Sequence, residues 1–146
     1  MFIGITLDKH MTFISFLKMY LITVPIFFAI DLLWLGVIAK GVYQKYIGHL
    51  MRETPNWPVA IVFYLLFIVG MIIFVINPAI QKDSWTYALA YGAMFGFFTY
   101  MTFDLTNWAV LKDWPWEIVI IDIIWGTSLS AIVSLVSFFA IRNFIN

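Results

Sequence analysis

The stretch Trp57–Ile76, WPVAIVFYLLFIVGMIIFVI, runs for twenty residues without one charged side chain. About 20 apolar residues, rising ~1.5 Å each, cross the hydrocarbon of a bilayer as a helix. One small globular core cannot hide so much apolar surface, so the stretch reads as a membrane span. The rest of the chain agrees: of 146 residues, 64% are hydrophobic and 11% charged. Soluble domains average about 45–50% and about 25%.

Working outward, three more runs qualify: about Thr12–Ala39, Trp85–Val110 and Trp116–Ile141. The expected fold is all-α, a single transmembrane domain over residues 1–146 with four helices in an antiparallel bundle. Met1–His10 reads as a polar extension ahead of a natural start at Met11. The first run is too long for a signal core of ~7–15 residues and reads as a retained helix.

Stop signals bound the runs. Asn56 with Pro58 opens the second helix, and Asn77-Pro78 is expected to end it. Asp83 or Ser84 can cap the third. Asp113 and Pro115 precede the fourth, with Glu117 favoured in its first turn by the helix dipole. Trp57, Trp85, Trp114 and Trp116 sit at these boundaries, where an aromatic belt belongs. Within the longest connection, Lys40–Asn56, residues Gly41–Arg52 suit a short interfacial helix. Lys9, Lys18, Lys82 and Arg142 fall on one face, and Lys40, Lys45, Arg52 and Lys112 on the other, so positive charge assigns no orientation.

Net charge is zero, which argues against a nucleic-acid partner, and the absence of cysteine excludes thiolate metal sites and cysteine nucleophiles. No nucleophile elbow, phosphate loop or metal-ligand spacing occurs. The chain therefore leans away from an enzyme, with no catalytic residues, metal or cofactor expected.

Asp31, Asp104 and Asp122 stand inside the apolar runs. A carboxylate at the middle of a span costs roughly 2.5–3.5 kcal/mol on the lenient insertion scale. By helical rise, Asp31 lies about 12 Å before the end of its helix, Asp104 about 9 Å before its own, and Asp122 about 9 Å after its start. Antiparallel threading brings the three to one depth, with Tyr64 near the same level. Gly92, Gly96, Tyr100, Asp104 and Trp108 recur every fourth residue, as do Asp122, Gly126, Ser130 and Ser134. Such small-residue stripes face other helices. Each aspartate has a tryptophan one turn on: Trp34, Trp108 and Trp125.

No lysine or arginine shares the aspartates' level, so a proton, a bound cation or trapped water must complete the set. One reading makes the acids polar glue between helices. The other makes them a site, since intramembrane acids are functional by default. There, Asp31, Asp104 and Asp122 bind a proton, a small cation or an organic amine; Asn107, Thr106 and Tyr100 complete the polar shell, and Trp34, Trp108 and Trp125 wall it. The function expected is a small proton- or cation-linked transporter or ligand-binding protein. The alternatives are a membrane enzyme acting on a lipid or isoprenoid, or an accessory subunit. The expected surroundings are the lipid bilayer, with a homo-oligomer left open.

Three blocks carry a family likeness: Asp31-Leu-Leu-Trp34-Leu-Gly36, Phe103-Asp104-Leu-Thr106-Asn107-Trp108 with Leu111-Lys112-Asp-Trp114-Pro115 downstream, and Asp122-Ile-Ile-Trp125-Gly126-Thr127. They resemble a family of small bacterial membrane proteins known as domain of unknown function 2177. The resemblance spans Met11 to the C-terminus. It implies a multi-pass protein of the bacterial inner membrane and brings no activity or catalytic residues.

Overall fold

The computed structural model describes residues 11–145, and the expected extension Met1–His10 lies outside them. The described residues form helices and connections without strands. Helix α1 covers Phe13–Ile38, ending in a π turn over Trp34–Ile38. The short α2 covers Val42–Ile47, α3 Trp57–Gln81, α4 Trp85–Val110 and α5 Trp116–Ile145.

Side chains set the starts. Thr12 accepts from the Ser15 amide, Asn56 from Val59 and Ser84 from Tyr87. Each satisfies an amide that has no partner within its own helix. Between Asp83 and Ser84, then, it is Ser84 that caps α4.

Two of the expected helix boundaries fail. Asn77-Pro78 does not end the second helix, which continues to Gln81. Proline removes the N–H owed to the Phe74 carbonyl and crowds it. The helix widens into a π turn over Ile72–Ile76, where the Asn77 amide bonds Ile72, and Pro78 enters at the start of the resumed α segment. Termination comes at Asp83, whose φ of 45° is left-handed. Asp83 N–H bonds the Ile80 carbonyl and Ser84 N–H bonds Ala79, the paired closure of a Schellman motif. The interfacial helix is also shorter than Gly41–Arg52: α2 ends at Ile47, and one 3-10 turn, Gly48–Leu50, follows.

By length and composition α1, α3 and α5 can cross a membrane. The equally long α4 is less apolar, since tyrosine, threonine and glycine recur along it. It pairs with α5 in an antiparallel hairpin, the most extensive contact in the molecule. A Cβ on Gly96 would strike the Gly126 carbonyl, and one on Gly92 would lie 2.7 Å from the Ser130 carbonyl. Glycine there is a condition of the close approach. Helix α5 is the central element, with α4 against it and α1 packed beside it. The apolar core joins Phe27, Ile68, Met71, Ile72, Leu129 and Val133 from α1, α3 and α5.

Candidate functional site

All three aspartates are buried: Asp31 is 3% exposed, Asp104 0% and Asp122 8%. They share the end of the molecule that holds α2, but among the described residues no three acidic, histidine or cysteine side chains group to hold a metal ion. The arrangement has two lobes joined by tyrosines.

In the first lobe, Asp104 from α4 lies within electrostatic reach of Asp122 from α5 and of the Trp114 indole N–H. Neither oxygen of Asp104 has a hydrogen-bond partner, and nor does Trp114 Nε1. Their approach falls short of bonding geometry. In the second lobe, Asp31 from α1 faces the Tyr64 hydroxyl of α3 and the Trp125 indole of α5, while its Oδ2 is unpartnered.

Tyr43, on α2, joins the lobes. Its hydroxyl donates to Asp122 Oδ1 at 2.5 Å and accepts from Trp34 Nε1 at 3.2 Å. Burial pushes the Tyr43 hydroxyl above its ordinary value, and the hydrogen bond to Asp122 pushes it further. Tyr100 reaches the same region, with its hydroxyl in electrostatic range of Asp31, Asp122, Tyr64 and Tyr43. Its ring occupies the space beside Gly126.

The Trp34 and Trp125 rings stack 4.2 Å apart and 7° from parallel. Both also line an open groove of about 370 Å³ on the outside of α1 and α5, with Ile121, Ile124 and Ser128.

Of the nine residues singled out from sequence, Asp31, Asp104, Asp122, Tyr100, Trp34 and Trp125 come together here. Thr106 does not join them. It is exposed, and its hydroxyl returns to the Thr102 and Phe103 carbonyls of its own helix. Trp108 is 52% exposed and turned away from the acids. Asn107 is half-buried near the end of α4, where its backbone carbonyl accepts from Leu111. Sequence reasoning left out Tyr43 and Trp114. Tyr43 sits in a connection whose path over the bundle no periodicity encodes, and Trp114 resembles any boundary tryptophan. Tyr64 had one signal, its depth on the second span.

Hydroxyls elsewhere divide by depth. Thr99, Thr102, Thr106, Thr127 and Ser128 bond back to carbonyls of their own helices. The fully buried Thr23, Ser130, Ser134 and Ser137 have no such partner. Small size suits the three serines to the close packing of α5.

No curated protein and no solved structure matches the chain. A family model does, described as predicted membrane protein, domain of unknown function 2177, over residues 16–139. The matched region takes in α3 and α4 whole, most of α1 and α5, and every acid of the site, and the chain belongs to this family of membrane proteins of unknown function.

Proposed function

We propose that the chain is a four-span protein of the bacterial inner membrane that binds a proton in exchange for an organic cation at Asp31, Asp104 and Asp122. This makes it a small transporter or ligand-binding protein. The observation that carries the reading is Asp104, a fully buried carboxyl whose two oxygens lack hydrogen bonds and which stands beside a second acid. An unpaired carboxylate in so dry a place costs several kcal/mol. A proton or a bound cation removes that cost, and alternation between the two is the simplest exchange chemistry available.

The polar-glue reading has support at one position. Asp122 holds Tyr43, and through it α2, against the bundle. It has none at Asp104, which ties nothing down. Asp122 thus serves the fold as well as the site.

The test is proton release. On addition of tetraalkylammonium to the purified protein in weakly buffered detergent, a pH indicator should report saturable release close to stoichiometric with protein. Loss of that release in the Asp31→Asn, Asp104→Asn, Asp122→Asn triple variant is the expected result. Wild type that releases nothing, or a triple variant that releases as much, overturns the reading.

A further inference from the structure

The stacked indoles have two different sides. Trp34 directs its ring N–H to Tyr43, whose hydroxyl holds Asp122. The Trp125 indole faces the Asp31 carboxyl. Both rings also form part of the outer groove, whose other walls are Ile121, Ile124 and Ser128. Ile124 is 61% exposed, and Ser128 has its hydroxyl spent on the Ile124 carbonyl. The groove therefore offers almost no polar group to an occupant. The stacked rings thus border an apolar groove while their N–H groups are directed to Tyr43 and Asp31, and the three buried acids have no ion-pair partner among the described residues.

We infer that the Trp34–Trp125 pair is a lateral door, and that the ligand is a lipophilic organic cation that reaches the acids from the bilayer through the groove on α1 and α5. Charge complementarity selects the cation, because the groups behind the indoles are carboxyls. The apolar walls select a bulky hydrocarbon body over a small hydrated ion. Indole faces suit the passage of such an ion, since a ring quadrupole attracts a desolvated cation. The door also has a place to yield. Trp34 opens the π turn that ends α1, where the Ala39 amide bonds Trp34 rather than Leu35, and Gly36 has no atom within 4 Å of where a Cβ would stand. A π turn and an uncrowded glycine leave this segment less tightly held than the regular helix before it.

The inference rests on the exchange reading above, so its test has to separate the two. Protein in nanodiscs is dialysed against tetraphenylphosphonium, with protein-free nanodiscs correcting for partition into lipid, and tetramethylammonium is measured as the small cation of equal charge. The groove is filled by Ile124→Trp and, separately, by Ser128→Phe, neither of which touches an acid or an indole N–H. Dicyclohexylcarbodiimide labelling of Asp104, located by mass spectrometry, reports whether a protonated carboxyl persists. Tetraphenylphosphonium should bind the wild type more tightly than tetramethylammonium, and each filled variant should weaken it by at least about tenfold with labelling unchanged. Filled variants that bind like wild type overturn the lateral route. Equal affinity for the two cations overturns the lipophilic ligand. Absence of tetraphenylphosphonium binding with labelling intact overturns this inference and leaves the proton site standing. Unchanged binding in the triple Asp→Asn variant overturns the site itself.

Discussion

Tyr43 donates its hydroxyl to Asp122 across 79 residues of chain, from the six-residue helix α2 into the central helix α5. One bond thus fixes both the position of α2 and one oxygen of a buried acid. Tyr43→Phe removes the donor and also strands the Trp34 indole N–H. A hydrogen bond to a charged or buried partner is worth about 1–3 kcal/mol. The variant should unfold at lower temperature in detergent by that order, and limited proteolysis should cut first in the 41–56 connection.

The same hydroxyl gives a pH signature. Its ionisation is shifted upward, first by burial and then by the bond to Asp122. A group whose folded-state value is raised contributes stability that is complete below the unfolded value and is lost as pH rises toward the folded one. The window therefore opens near the unperturbed tyrosine value of about 10 and extends upward. Tyrosinate absorbance at 295 nm should lag that of Tyr43→Phe by one slow-titrating tyrosine. Titration of all tyrosines together near the ordinary value would contradict the buried bond.

Asp104 separates glue from site. A structural acid loses stability on replacement by an apolar residue, because its partners are left behind. Asp104 has no hydrogen-bonded partner to leave. Asp104→Leu should hold or raise thermal stability, by up to about 1–3 kcal/mol, while proton release on addition of organic cation disappears. A marked loss of stability in this variant would assign Asp104 to packing.

Gly96 and Gly36 form a matched pair of tests. At Gly96 an added methyl collides with the Gly126 backbone, and at Gly36 it meets nothing within 4 Å. Gly96→Ala should push α4 from α5 and cost about 1–3 kcal/mol, the usual price of overpacking. Gly36→Ala should be close to neutral in the same melting experiment.

Parallel indoles 4.2 Å apart couple their electronic transitions. The wild type should give a paired positive and negative circular-dichroism band in the 220–230 nm region (on the order of the indole transition energy), and Trp34→Phe or Trp125→Phe should each abolish it. Stacking of this kind adds about 0.5–1.5 kcal/mol beyond area burial. Survival of the couplet in both variants would assign it to another aromatic pair, such as the stacked Tyr87 and Tyr91.

Much of this molecule was legible in its sequence because the bilayer imposes a simple rule. Backbone groups in lipid must bond within their own segment, so long apolar runs become helices. Composition and length placed Trp85–Val110 at its observed bounds and α1 within one residue. The same logic misjudged Asn77-Pro78, because a proline ends a helix only when no neighbouring turn can absorb the missing bond, and here the π turn at Ile72–Ile76 absorbs it. Small-residue periodicity at Gly92, Gly96, Gly126 and Ser130 marked the α4–α5 contact, since only a residue without bulk permits backbones to touch.

The sequence alone also set the position of each acid along its own helix, because rise per residue is a local property of any helix. Rotation about each helix axis is not local. It is decided by packing against neighbours, which turned Trp108 and Thr106 outward while Asp104, on the same helix, went fully inside. The path of a connection is still less local, and only the folded chain could carry Tyr43 over the bundle to Asp122 or bring Trp34 face to face with Trp125. Periodicity fixes what a segment is. Contacts between segments, made by side chains far apart in the chain, fix which acids, tyrosines and indoles meet.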